Sequence, residues 1–164
     1  MHADDFQFPD GVLIVLEVLD SHDCEYQLRT VEKPAHHAKE AADLLGCPLG
    51  AVVKSLIFTS KYQDNFVLVL VSGQNRADKK KLEEIIGQQI SPAKPDKVLA
   101  FTGYSIGAVP PFGKDFDFPV IIDQDLMAHS SLWASAGSPH ILVNFESSIL
   151  KEITGGKIFD IKEI

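Results

Sequence analysis

Val52-Val53-Lys54-Ser55-Leu56-Ile57-Phe58-Thr59 and Phe66-Val67-Leu68-Val69-Leu70-Val71 decide the fold class. Both runs are rich in β-branched and aromatic residues. Tyr62 to Asn65 between them supplies turn residues, so the two read as strands of one hairpin. Upstream, Ala35 to Leu45 reads as a helix with Ala38, Ala41, Ala42 and Leu45 on one face, and Gly46 is its stop. Tyr26 to Val31 alternates as a strand does, and Lys33-Pro34 ends it. Val12, Leu13, Leu16 and Leu19 share a helical face that Asp10 could cap, although the apolar run Val12 to Val15 also fits a strand. Downstream, Asp78 caps a helix through Ile86 that Gly87 ends, and a short helix covers Asp96 to Phe101. A glycine- and proline-rich loop, Thr102 to Lys114, leads to a buried strand at Val120-Ile121-Ile122. Leu132 to Ala134 and Ile141 to Phe145 are further strands. Ser147 caps a last helix ended by Gly155-Gly156, and Lys157 to Ile161 returns as a strand. Strands and helices mix without βαβ alternation. The expectation is one α+β domain over residues 1–164, with a curved mixed sheet flanked by helices.

The composition sets limits on function. The 164 residues are 45% hydrophobic, enough for a sizeable core, and the formal net charge is -8. An acidic chain is a poor coat for long stretches of nucleic acid, though a local basic patch could still touch one RNA terminus. Arg76, Lys79, Lys80 and Lys81 form such a patch, read either as a solvated helix face or as a contact for RNA phosphates. The apolar run Gly11 to Leu16 is too short to span a bilayer and follows Asp4 and Asp5, unlike a signal peptide. A soluble, cytoplasmic protein with no membrane partner is expected. Cys24 and Cys47 form neither a metal motif nor a disulfide framework and read as buried thiols. His36-His37 diverge by about 100° on a helix, and no HExxH or Cys/His cluster exists, so no metal is expected.

Four segments could carry chemistry. Lys54 alternates with Val53 and Ser55 and so points to the side of Leu56 and Phe58, which should be buried. It reads either as a strand-end lysine that snorkels to water or as a site cation for a phosphate or carbonyl oxygen. Gly103 to Gly113 packs three glycines and two prolines into a stiff loop that can bring backbone groups to a ligand or serve as a tight crossover. Asp123 ends a buried strand, where it faces a cleft or, preferably, caps the turn at Asp125 to Met127. Ala134 to His140 is built of small residues; Ser135 is a donor and His140 an acid, base or donor near neutral pH. That pair would suit acyl transfer, but no GxSxG elbow is present, and a plain hairpin is the simpler account.

Taken together, Val53-Lys54-Ser55-Leu56, Thr102-Gly103-Tyr104 through Pro111-Phe112-Gly113, Val120-Ile121-Ile122-Asp123 and Trp133-Ala134-Ser135-Ala136-Gly137 resemble the YbaK family (EbsC-like, ProX-like) and the related insertion domain of bacterial prolyl-tRNA synthetases. The resemblance runs from about Phe8 to Ile161. It implies a six- or seven-stranded, partly closed sheet and hydrolysis of the ester joining an amino acid to the 3′-terminal adenosine of tRNA. It implies Lys54 as the functional lysine. Gly103, Tyr104 and Gly107 of the loop, with Ser135, Gly137 and His140, become candidate substrate-binding residues; Asp123 matches a recurrent aspartate without an assigned role. Val31 stands where some cysteine-removing members carry tyrosine, which argues against cysteinyl-tRNA in particular. The implied activity needs no cofactor. Its partners would be the acceptor end of a mischarged tRNA and a synthetase that delivers it, with no role for DNA. Two rivals stand beside it: a non-catalytic module that holds a tRNA end or a synthetase, and a serine hydrolase built on Ser135 and His140.

Overall fold

A computed structural model describes residues 7–61, 65–114 and 116–164. Helix α1 (Asp10–Ser21) buries Val12, Val15, Leu16 and Leu19. That i, i+3, i+4, i+7 spacing settles the helix-or-strand ambiguity. Leu13, expected on the buried face, is 42% exposed. Asp10 lies in the first turn instead of capping it, where its charge suits the helix dipole. Strand β1 (Tyr26–Thr30) follows. Helix α2 (Ala38–Leu45) ends on Gly46 at φ +68°, as its glycine stop requires.

Strands β2 (Val53–Ser60) and β3 (Phe66–Ser72) form the expected antiparallel hairpin, with Lys54 opposite Val71 and Leu56 opposite Val69. Most of its expected turn, residues 62–64, lies outside the described residues, as do Asp4 and Asp5. Helix α3 (Lys79–Ile86) is capped as expected: the Asp78 carboxylate accepts the Lys80 and Lys81 N–H groups at 2.9 and 3.3 Å. Leu82 is its one fully buried anchor, a burial that contributes about 1.5–3 kcal/mol. Next come β4 (Ile90–Pro92), α4 (Pro95–Thr102), β5 (Val120–Asp123), β6 (Ser131–Ser138) and β7 (Ile141–Glu146). Helix α5 (Ser148–Thr154) and strand β8 (Lys157–Phe159) close the order. Ser147 does not cap α5 with its side chain; the Ser148 hydroxyl turns to Glu146 instead. Strand β4 escapes the sequence because it has three residues and ends in proline, which only an edge strand tolerates.

The domain is α+β, as expected, but its strands form two sheets and the sheet is not closed. One is mixed, in the order β4-β2-β3-β5-β8; the other is antiparallel, β1-β7-β6. They meet at a single bridge between Val52 and Trp133. Past that bridge β6 carries an irregularity between Ser135 and Ser138, with Gly137 at φ +105°. Bulges of this kind bend a strand and re-aim it. The main apolar core lies among α1, α5 and both sheets, around Leu68, Leu70, Leu132, Val143 and Phe145. A second core, with Phe58, Val69, Val71 and Leu82, fills the other face of the hairpin under α3.

Candidate active site

Where β2 and β6 part, they open a cleft of about 800 Å3. Residues 52–58 form one wall, the turn at Ile106-Gly107 and Val109 stand over it, and the start of α2 and Ser135 complete the rim. The strand positions Lys54 in it, half-buried on the Leu56 and Phe58 side as its alternation requires. The Lys54 ammonium donates to the main-chain carbonyl of Asn75. Burial pushes its pKa down, the nearby Arg76 charge pushes it further, and Asp123 opposes both.

Asn75 is held in turn by two carboxylates. Its Nδ2 donates to Asp123 Oδ2 at 2.9 Å and to Asp125 Oδ2 at 2.8 Å. Asp123 is 1% exposed. Its Oδ2 also accepts the Ser72 N–H at 3.0 Å, and its Oδ1 accepts the Asp125 N–H at 3.0 Å. Asp123 therefore caps the 3-10 turn at Gln124–Ala128, the structural reading preferred from sequence, and braces the segment that carries Lys54's partner. The hydrogen bond from Asn75, then the Lys162 ammonium 3.3 Å away, lower the Asp125 pKa against an opposing effect of burial. Ser72 and Asn75 were not singled out in the sequence; the Ser72-Gly73-Gln74-Asn75 turn after a buried strand was the available signal.

The glycine-proline loop divides its roles. Gly103, at φ +81°, is the C-cap of α4 and lies off the cleft. Tyr104 is buried; its hydroxyl donates to the Gly11 carbonyl at 2.7 Å and its ring packs edge-on to Phe116. Gly107, at φ +85°, lines the cleft beside His36. Ser135 also lines it, but its hydroxyl is engaged. It accepts the Gly137 N–H at 3.1 Å, and the Ala108 carbonyl lies at 3.0 Å as acceptor for its proton. Gly137 packs against Tyr104 and Gly11, where a Cβ would stand 2.8 Å from the tyrosine ring. His140 is exposed on the far side of the turn, its Nδ1 3.1 Å from the Val31 carbonyl. The cleft thus collects Lys54, Gly107 and Ser135, while Gly103, Tyr104, Gly137, His140 and Asp123 lie outside its lining. Ser135 and His140 do not hydrogen-bond each other, and a Ser–His pair needs that bond.

The basic patch is partly engaged. Lys81 reaches Asp160 at 3.3 Å and the Lys162 carbonyl at 2.8 Å, while Arg76, its side chain 85% exposed, lies 3.9 Å from Glu163. Cys24 is buried and Cys47 partly so; both are free thiols. No helix among the described residues is long and apolar enough to cross a membrane.

The model of the aminoacyl-tRNA editing domain matches residues 32–152, and the chain belongs to that family. The uncharacterized protein YwhH of Bacillus subtilis is 27% identical over 135 residues, 82% of this chain and 85% of that protein. The proline–tRNA ligase of Thermosipho melanesiensis is 36% identical over 104 residues, which are 59% of this chain but 17% of the ligase. Among solved structures, one described as "a putative trans-editing enzyme for prolyl tRNA synthetase" superposes with a TM-score of 0.86 at 31% identity, covering 96% of this chain and 100% of that one. Hypothetical protein APE2540 superposes at 0.84 with 27% identity, over 91% and 99% of the two chains.

Proposed function

We propose that this protein is a trans-acting aminoacyl-tRNA deacylase that removes a small amino acid (alanine, serine, threonine or cysteine) from mischarged tRNA, with tRNA-Pro as the carrier. The observation that carries the reading is the Lys54 ammonium, half-buried in a mostly apolar wall and fixed by the Asn75 carbonyl, in a chain of the editing family. The relationship to proline–tRNA ligases and to a trans-editing protein supports the carrier and a synthetase partner. Such a protein would work in the cytoplasm.

An aminoacyl ester is already activated, so the enzyme must position it, admit one water and stabilise an oxyanion. One Lys54 N–H is committed to Asn75, and the ammonium has two more to offer to the terminal phosphate or the ester oxygen. Water adds to the ester carbonyl, and the bond from that carbon to the ribose 3′-oxygen breaks. The ribose oxygen takes up a proton, and the products are a free amino acid and a tRNA with its 3′-hydroxyl restored. A ribose hydroxyl of the substrate orients the water, since His140 lies outside the cleft and Ser135 already gives its proton to a carbonyl. Neither forms a covalent intermediate. Selectivity comes from the apolar wall, where one methylene discriminates by about 1–3 kcal/mol.

The test is a panel of tRNAs mischarged with labelled alanine, serine, threonine and cysteine, run with wild type and Lys54→Ala. Release of one label by wild type alone supports the reading and names the substrate. Binding of tRNA without release would leave a module that holds the acceptor end.

A further inference from the structure

Strand β2 has a gap along one edge, and the gap opens into the cleft. The Ala93 N–H donates to the Ile57 carbonyl at 2.9 Å, and the Lys61 N–H to the Gln89 carbonyl at 3.2 Å. On the other edge the Val52 carbonyl accepts the Gly73 N–H at 2.8 Å, and the Ser60 N–H donates to Asn65 at 3.0 Å. Odd-numbered residues of β2 therefore aim their backbone groups away from β3, and even-numbered ones toward it. On the odd side β4 pairs only with Phe58, Thr59 and Ser60. Among the described residues strand β6 pairs with this edge at one bridge, Val52–Trp133. Between these two partners stand the N–H and C=O of Ser55, a half-buried residue of the cleft wall with which no described strand pairs on this edge. Buried backbone groups are rarely left without partners.

Among the described residues the lining of the cleft contains no carboxylate; its ionisable side chains there are Lys39, Lys54, His36 and His37. A ligand ammonium entering it meets neutral acceptors among these residues, chiefly oxygen atoms. We infer that the Ser55 main chain is the docking point of the aminoacyl group. The Ser55 carbonyl accepts from the α-ammonium, and the Ser55 N–H donates to the ester carbonyl oxygen. The inference rests on the deacylase reading of the same cleft. An aminoacyl ester presents one N–H donor and one C=O acceptor at the spacing of a single strand residue. It therefore fills the vacant place opposite Ser55 as a hydrogen-bonded pair does, a β-augmentation one residue long. The Ser55 N–H then meets the oxygen on which negative charge develops, on the same wall as the Lys54 ammonium.

Ser55→Pro removes that N–H. It leaves the ladder to β3 intact, because the lost donor faces the gap, and Lys54 is already in the extended conformation a following proline demands. A second variant replaces residue 55 by the α-hydroxy analogue of serine, exchanging the amide for an ester, and serves if the proline chain fails to fold. The expected result is an unchanged melting temperature with kcat reduced about a hundredfold or more. In parallel, 15N-labelled wild type is titrated with 3′-deoxy-3′-(alanylamino)adenosine, a non-hydrolysable analogue, and the Ser55 amide proton should move downfield. Wild-type turnover in the ester variant overturns the inference and leaves the deacylase reading standing. So does an analogue that perturbs Lys54 and Gly107 but not the Ser55 amide. If wild type releases no amino acid yet the Ser55 amide shifts, docking holds and the deacylase reading falls. If neither occurs, both fall.

Discussion

The Lys54 ammonium is tied to the main-chain carbonyl of Asn75, and the Asn75 side chain is clamped by the buried Asp123 and by Asp125. Lys54 is thus steered by a carbonyl, a neutral acceptor; the two carboxylates hydrogen-bond the asparagine and not the lysine, and Asp123 reaches Lys54 only through space. A direct ion pair would fix the ammonium against a carboxylate and take it from a substrate. A carbonyl positions it and leaves its charge for a phosphate or an oxyanion.

The first prediction concerns pH. Burial and Arg76 hold the Lys54 pKa below the ordinary lysine value of 10.5. Affinity for the alanylamino-adenosine analogue should therefore fall further in wild type than in Lys54→Gln as pH rises through that lowered value, the loss of the ligand's own α-ammonium being common to both. Stability has the opposite slope. Between the lowered value and 10.5 the unfolded chain binds more protons than the folded one, so wild type gains stability relative to Lys54→Gln as pH rises across that window. Urea unfolding at a series of pH values reads the slope.

Asp123→Ala should destabilise the fold as well as the site. The Ser72 N–H and the Asn75 amide lose their buried acceptor, at a cost of about 1–3 kcal/mol for each group. Denaturant melts give the loss of stability. Deacylation measured on the fraction still folded should fall too, because the Asn75 segment no longer holds Lys54.

Tyr104 and Gly137 should behave as packing residues. Tyr104→Phe gives up one hydrogen bond to Gly11, worth about 1 kcal/mol, and kcat should change little. Gly137→Ala places a methyl group 2.8 Å from the Tyr104 ring at φ +105°, and strain of that kind costs about 1–3 kcal/mol. Thermal melts should rank the two in that order. A large loss of kcat in Tyr104→Phe with the fold intact would return Tyr104 to the site.

Ser135→Ala should raise KM more than it lowers kcat, since the hydroxyl ties β6 to the Ala108 carbonyl of the overhanging loop. His140→Ala should keep both the rate and its pH profile. A serine-directed covalent reagent should leave wild type active and Ser135 unlabelled. Labelling of Ser135 with loss of activity would revive the serine-hydrolase mechanism.

Much of this was present in the chain as local pattern. The alternation of 52–59 placed Lys54 on the Leu56 and Phe58 face, and Asp78, Gly46 and Gly87 marked helix ends that the structure retains. These features depend on neighbours within a few residues, so sequence carries them directly. The split into two sheets did not show, because it arises where β6 bends between Ser135 and Ser138 and is bridged to the start of β2 at Val52 and Trp133, residues far apart in the chain. The same holds for the site. Sequence singled out Lys54, Gly107 and Ser135, which line the cleft, and also Gly103, Tyr104, Gly137 and His140, which do not; the fold turns Tyr104 and Gly137 to Gly11 and His140 to Val31. It passed over Asn75 and the Ser55 backbone, because a carbonyl acceptor and an unpaired strand edge have no residue signature. They exist only once β4 stops short, β6 veers away, and the edge of β2 at Ser55 is left without a paired strand.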